Sequence, residues 1–399
     1  MKQSTTNTVV SLVREIMNEF ARLTGLSPAE AAPQRYLWTD ALAVCNFLEL
    51  YCHMNDEHYK HLAVLLVDQV HAILGRHCAD DQRTGWISGL DEQEGAKHPA
   101  IGGLRIGREL NERRPEEPFD EHLEWERDGQ YYHYLTQWMH ALNRISRITG
   151  DANYNRWALE LAKTAHDRFT YTTSDGRERR MYWKMSIDLS YPLVPSMGHH
   201  DPLDGLITYS ELQAAARKYS EQSDLPDISA EIADLAEMCE GKSWTTDDPL
   251  GIGGLLIGVY KMAQLIAADD FAQSDLLAVK LENVLDDSLA GLEYYARTAP
   301  LKLPAEYRLA FRELGLSIGL HAVERMQGLI EQNRDVFNKK LPLHACLERL
   351  KRYTPLNEAI ETFWLERTNR ESSSWMTHRN INMVMLATSL APDGYLSVY

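Results

Sequence analysis

The chain has 399 residues, 44% of them hydrophobic and 25% charged, with a formal net charge of −17 at pH 7. That apolar share is enough for a sizeable core and speaks against a disordered chain. The acid excess, 58 Asp and Glu against 41 Lys and Arg, excludes a broad nucleic-acid-binding face, which needs clustered cations.

The first element, MKQSTTNTVVSLVREIMNEFARL, places hydrophobes at helical spacing with charges between them, so it reads as a helix and not as a leader. No unbroken run of 18 apolar residues occurs, and no membrane span is expected. Cys45, Cys52, Cys78, Cys239 and Cys346 are scattered without a C-x-x-C spacing. They suit a reducing, cytoplasmic setting; a zinc site, another metal or a cofactor is not expected.

The 3.6-residue period continues through most of the chain and no alternating strand pattern stands out. It predicts helices over 5–24, 38–54, 57–75, 130–148, 152–169, 203–219, 227–240, 248–268, 272–296, 306–328, 341–353 and 376–390, with a shorter one over 356–367. Residues 36–74 repeat as 131–169 at a constant offset of 95, matching Tyr36 with Tyr131, Asp56 with Asp151, Tyr59 with Tyr154 and His71 with His166. Each copy is a helix, a D-x-x-Y turn and a second helix, with the Asp placed to cap the second helix. A recurring hairpin must stack on its neighbours to bury its apolar faces.

The remaining pairs, 203–240, 248–296 and 306–353, bring the count to five hairpins, and the helices at the two ends would form a sixth. One helix, five pairs and one helix is the arithmetic of an all-α (α/α)6 toroid, with six inner and six outer helices in a single domain. This pattern, with the turn ITGDANY, resembles the six-hairpin superfamily of glycosidases and sugar epimerases. RYLWTDALAVCNFLELY and MYWKMSIDLSYPLVPSMGHHDPLDGL also resemble segments of bacterial proteins of unassigned function with that fold. Two long connections, 76–129 and 170–202, interrupt the helices and are expected on one rim, as lids or sites.

The N-termini of the inner helices of such a ring converge on that rim. Polar and aromatic residues cluster at the corresponding positions: Arg35, Trp38 and Asp40; Tyr131, Tyr132 and His133; His199, His200, Asp201 and Asp204; Asp248; Trp375 and His378. The long connections add Trp86, Arg105, Glu124, Trp125 and Trp183. Aromatic faces with carboxyl and imidazole groups suit a sugar, whose C–H faces stack while its hydroxyls take directed hydrogen bonds. Arg35 and Arg105 would hold an acidic group on it.

His200-Asp201 before a helix resembles the His-Asp motif of unsaturated glucuronyl hydrolases, whose second Asp heads a neighbouring inner helix. The resemblance implies Asp201 and Asp248 as the acid and base of a glycoside hydrolase acting on a small, anionic saccharide. Pro202 and Leu203 stand where that family carries glycine and an aromatic residue. Asp40 and Glu124 are reserve carboxyls, with Trp125 beside Glu124 expected to shield it from water. His133 and His200 would orient or relay protons. Two alternatives stand beside this reading: a sugar epimerase or isomerase using rim histidines, as in the acylglucosamine epimerase family, whose later histidine motif is absent from 248–268; and a non-catalytic toroid that binds a metabolite or partner protein.

Overall fold

The computed structural model describes residues 2–78, 81–219, 224–268, 274–298, 300–337 and 341–399. Its long helices are α1 (Lys2–Leu23), α2 (Leu37–Met54), α3 (Glu57–Leu74), α4 (Tyr132–Thr149), α5 (Ala152–Phe169), α6 (Asp201–Tyr219), α7 (Ser229–Met238), α8 (Pro249–Ala267), α9 (Ser274–Thr298), α10 (Ala310–Gln332), α11 (Leu341–Leu350), α12 (Pro355–Leu365) and α13 (Arg379–Leu390). Every expected helix is present. Residues 272 and 273 of the one expected over 272–296 lie outside the described residues. The chain forms two compact units, Ala21–Glu240 and Met1–Phe20 with Gly241–Tyr399.

In the unit Ala21–Glu240 the sequence repeat is a structural repeat. Helices α2 and α3 have the bounds of α4 and α5 shifted by 95 residues. Both first helices end on a left-handed residue, Asn55 at φ 51° and Gly150 at φ 75°. Both second helices start on the expected caps: Asp56 accepts from His58 N at 3.0 Å and Asp151 from Asn153 N at 2.9 Å. Three hairpins, α2–α3, α4–α5 and α6–α7, stack through their first helices, α2 on α4 and α4 on α6. These inner helices are buried on nearly every side, whereas α3 and α5 bury one stripe.

In this unit the long connections correct one expectation, because they contain short strands: β1 (Gln130–Tyr131), β2 (Thr170–Thr172), β3 (Arg179–Met181), β4 (Lys184–Met185) and β5 (Pro192–Val194). Strand β4 sits between β1 and β5, antiparallel to both, and β2 pairs with β3. At two or three residues each, they are too short for alternation to register in a sequence. The order β1–β4–β5 ties the 170–202 segment to the head of α4.

The other unit repeats the scheme. Helix α8 packs on α9 and α10, α9 on α11, and α10 on α12 and α13. Arg379 at the head of α13 pairs with Glu19 on α1, joining the first and last long helices as expected. Among the described residues the six hairpins are those of an (α/α)6 fold. Helix α8 is long and apolar enough to cross a bilayer, but its most apolar stretch is 72% buried within the protein. Its Gln264 holds the chain end, donating to Leu396 O at 2.9 Å and accepting from Val398 N at 3.1 Å.

Helices α8 and α10 cross on glycine. A Cβ on Gly253 would collide with the Gly315 carbonyl, and one on Gly319 would lie 2.7 Å from Gly253 Cα. Gly254, one residue on, has open space around it. Gly253→Ala is therefore expected to lower stability by about 1–3 kcal/mol, as overpacking does. Gly254→Ala should raise it by up to about 1 kcal/mol through helix propensity. Denaturant titration of both variants checks the opposite signs.

Candidate active site

The head of α4 reads Gln130-Tyr131-Tyr132-His133-Tyr134. Tyr131 is still in extended backbone as a β1 residue, paired with Lys184 on β4. Helical geometry then separates the side chains. Tyr132 turns inward, fully buried against Phe169, while Tyr131, His133 and Tyr134 share a face, with ring centroids 4.8–5.4 Å apart. The sheet brings Trp183 over this face, 5.3 Å from Tyr131 and stacked 6.5 Å from His133 at 15°. Trp125 meets Trp183 edge-on at 4.8 Å and remains 45% exposed. Trp38 and Tyr36, at the head of α2, complete the wall: Trp38 lies 6.4 Å from Tyr134, and the Tyr36 and Tyr134 hydroxyls are hydrogen-bonded at 2.7 Å.

Asp201 lies at this wall. It opens α6, two residues earlier than the period suggests, with its Oδ1 at 3.7 Å from His133 Nδ1. The residue is 3% exposed and its Oδ2 has no hydrogen-bond partner. A Cβ at Gly198 would collide with the Asp201 Oδ2, so a side chain there would displace the carboxyl group. Burial holds the Asp201 carboxyl well above the usual carboxylate range; the charge of Asp204, one turn along, adds to this, and a backbone hydrogen bond from Gly198 opposes it. His133 is recessed but keeps 30% of its side chain exposed, and burial pushes its imidazole down to about 4. Burial thus favours the protonated acid at Asp201 and the neutral imidazole at His133.

Several residues picked from sequence are placed elsewhere. Arg35 is buried, donating to Thr24 O at 2.7 Å and lying 3.7 Å from Asp40. Asp40 is buried as well, and its Oδ2 accepts from Tyr36 N at 2.9 Å, tying down the start of α2. Arg105 spends its nitrogens on Asp128 at 2.8 Å and on the carbonyls of Arg76 and Ile73. Glu124 is clamped between Arg113 Nε at 2.9 Å and the fully buried Lys184 Nζ at 3.0 Å. Trp86 is buried beneath Arg76. Arg35 and Trp86 keep buried N–H groups without a hydrogen-bond partner, but both side chains are enclosed by the protein. The expected anion-binding arginines and reserve carboxyls each meet an oppositely charged or backbone partner inside the protein.

His199 is exposed and His200 half-buried, with rings 4.8 Å apart just ahead of Asp201. Asp248, Trp375 and His378 belong to the other unit. There Asp248 caps α8, accepting from Leu250 N at 3.3 Å and from Arg312 at 3.1 Å. Trp375 is buried 5.6 Å from Trp364, and His378 precedes α13 with Phe311 at 5.4 Å. Tyr36, Tyr134 and Arg108 were missed from sequence. The two tyrosines were legible: Tyr134 stands three residues after Tyr131, on the same helical face, and Tyr36 is the repeat partner of Tyr131.

A cavity of about 770 Å³ lies elsewhere in the same unit, lined in part by Lys163, His166, Arg179, Asp188 and Glu231. Its cations are already paired, Lys163 with Glu231 at 2.8 Å and Arg179 with Asp234 at 2.7 Å. Glu231 also keeps one buried oxygen without a partner, but its other oxygen is paired with Lys163, whereas Asp201 faces an imidazole at 3.7 Å, which makes the aromatic recess the better candidate. Among the described residues no three His, Cys, Asp or Glu side chains are grouped to hold a metal ion.

Asp40 provides a pH test of its structural role. Burial raises its carboxyl to about 6, with Arg35 and the Tyr36 amide pulling the other way. The folded state then holds the proton more tightly than the unfolded chain, so stability is full below about pH 4 and declines as pH rises through 6. Relative to wild type, Asp40→Asn should gain about 2–3 kcal/mol between pH 4 and pH 7, at ~1.4 kcal/mol per pH unit. Chemical denaturation at the two pH values checks it; a constant gap contradicts it.

No protein-family model and no curated protein matches the chain. Among solved structures the fold is similar to cellobiose 2-epimerase from Bacillus thermoamylovorans B4167, with 12% identity, 88% of each chain covered and a TM-score of 0.43.

Proposed function

We propose that the protein is an acid–base enzyme acting on a saccharide, with Asp201 as proton donor, His133 as its partner, and Trp38, Trp125, Tyr131, Tyr134 and Trp183 as the stacking wall. The observation that carries this reading is the desolvated Asp201 carboxyl, with one oxygen unpartnered, beside an imidazole in an aromatic recess. Five aromatic rings in continuous contact suit a sugar face better than a charged polymer or a peptide backbone.

Epimerisation or isomerisation fits better than hydrolysis by a carboxylate pair. Hydrolysis needs a second carboxylate to activate water; Asp40 and Glu124 are both engaged, and Asp204, the one near Asp201, has an interaction of its own. In the favoured scheme Asp201 delivers its proton to a sugar carbonyl oxygen while His133 takes one from the adjacent carbon, leaving a neutral enediol. The reverse transfers, with the carbon proton returned elsewhere, give the isomer or epimer. An imidazole at about 4 is a weak base alone, but as Asp201 loses its proton the new anion stands 3.7 Å away and stabilises the imidazolium. Hydrolysis with Asp204 activating water is the second reading, favoured by the proximity of its charge to Asp201.

Asp201→Asn should fold normally and lose about 10²–10⁴-fold in turnover, the range of a positioned proton donor. Wild-type activity should fall below about pH 4, as His133 is protonated, and again at high pH, as Asp201 ionises; the basic limb should vanish with the variant's residual rate. A panel of mono- and disaccharides followed by proton NMR distinguishes isomer, epimer and cleaved product. Activity in Asp201→Asn within a few-fold of wild type removes the assignment.

A further inference from the structure

The expectation of an acidic substrate began with Arg35 and Arg105, and both prove to be internal. A different cation stands at the recess. Arg108 follows Gly107, whose backbone, at φ +95°, is pinned by the buried Asp128 at 3.0 Å and lies too close to the Arg35 carbonyl to admit a side chain. That constraint directs the next residue outward. The Arg108 guanidinium lies over the Tyr36 ring at 5.2 Å, at the Trp38 end of the aromatic wall. Its charge bears on the Tyr36, Tyr131 and Tyr134 hydroxyls, in each case opposing the upward push of burial. The side chain is 32% exposed, and its ion contact is a long one, 3.9 Å to Glu126, itself 65% exposed. Its Nε is buried without a hydrogen-bond partner. Arg113 and Arg127, nearby in sequence, are by contrast closely paired, with Glu124 and Glu117.

We propose that Arg108 is a specificity-determining residue that reads an acidic group, carboxylate or phosphate monoester, on the saccharide bound in the aromatic recess. This rests on the sugar-binding reading of the recess given above. A planar guanidinium with unused N–H donors, braced on an aromatic ring, matches both anions through paired hydrogen bonds, which an ammonium cannot reproduce. Glu126 competes weakly for the same cation from solvent and is displaced by the ligand. The charge selection is local: the chain's overall −17 would repel an anion, so a dedicated cation is what makes an acidic ligand acceptable at all.

The test uses the full chain and titrates tryptophan fluorescence with three probes of one ring type: glucose, glucuronate and glucose 6-phosphate. At low salt one or both acidic sugars should bind at least about tenfold tighter than glucose, the scale of a charge-assisted hydrogen bond. High salt should narrow the gap. Arg108→Gln should erase the preference and Arg108→Lys should restore only part of it. Glu126→Gln should tighten the acidic sugars severalfold without strengthening glucose, a gain that misfolding cannot produce. Equal binding of glucose and both acidic sugars, with recess quenching by each, overturns the Arg108 assignment and leaves the sugar site standing. Failure of all three to bind, together with full turnover in Asp201→Asn, overturns the site and Arg108 with it. The relative gain of glucuronate and glucose 6-phosphate decides which anion is read.

Discussion

Removing one carboxyl group from water is the event on which the site depends. Asp201 heads an inner helix, where a carboxylate ordinarily accepts backbone amides and stays ionised. Here the segment before the helix folds back so that the carboxyl is buried, Asp204 adds a second negative charge, and Oδ2 is left without a partner. Together these outweigh the one backbone hydrogen bond from Gly198 and favour the protonated form. A neutral carboxylic acid at working pH is a proton donor, and His133 at 3.7 Å is the group able to share that proton.

Such a group is costly to maintain, so its surroundings have to be rigid. The rigidity comes from polar groups in the two long connections. Lys184, fully buried, ties β4 to Glu124 and to the Arg127 carbonyl; Arg113 ties Glu124 to the Leu193 carbonyl of β5; Asp128 gathers Arg105, Gly107 and Gly129. A buried ion pair contributes little net stability when intact, yet removing one partner costs several kcal/mol. These pairs therefore fix position more than they add stability. They hold Trp125 and Trp183 over the head of α4, where the stacking wall is needed.

The helical plan was legible because it is periodic. The 95-residue repeat predicted two hairpins whose bounds and caps coincide position by position, and the glycine or asparagine closing each first helix follows from the left-handed turn. Asp201 and His133 were legible as titratable groups at helix heads. What could not be read was which polar groups meet partners. Arg105 and Glu124 look like ligand-binding residues in a list of rim positions, and they are satisfied internally by residues far away in sequence: Glu124 by Lys184, 60 positions on, and Arg105 by Asp128. The three strands that arrange this are too short to leave a pattern. Arg108 escaped notice for the opposite reason, since its role comes from what it lacks.

The protonation state of Asp201 is the most direct measure of the account. Carbon-13 carboxyl shifts of protein labelled at aspartate, assigned by their loss in Asp201→Asn, report it without any substrate. A carboxyl that stays protonated at neutral pH, with its titration midpoint well above the ordinary aspartate value, is the predicted result. A midpoint near or below 4 would mean that the group is an ordinary solvated or capping carboxylate, and the proposed proton donor would be gone.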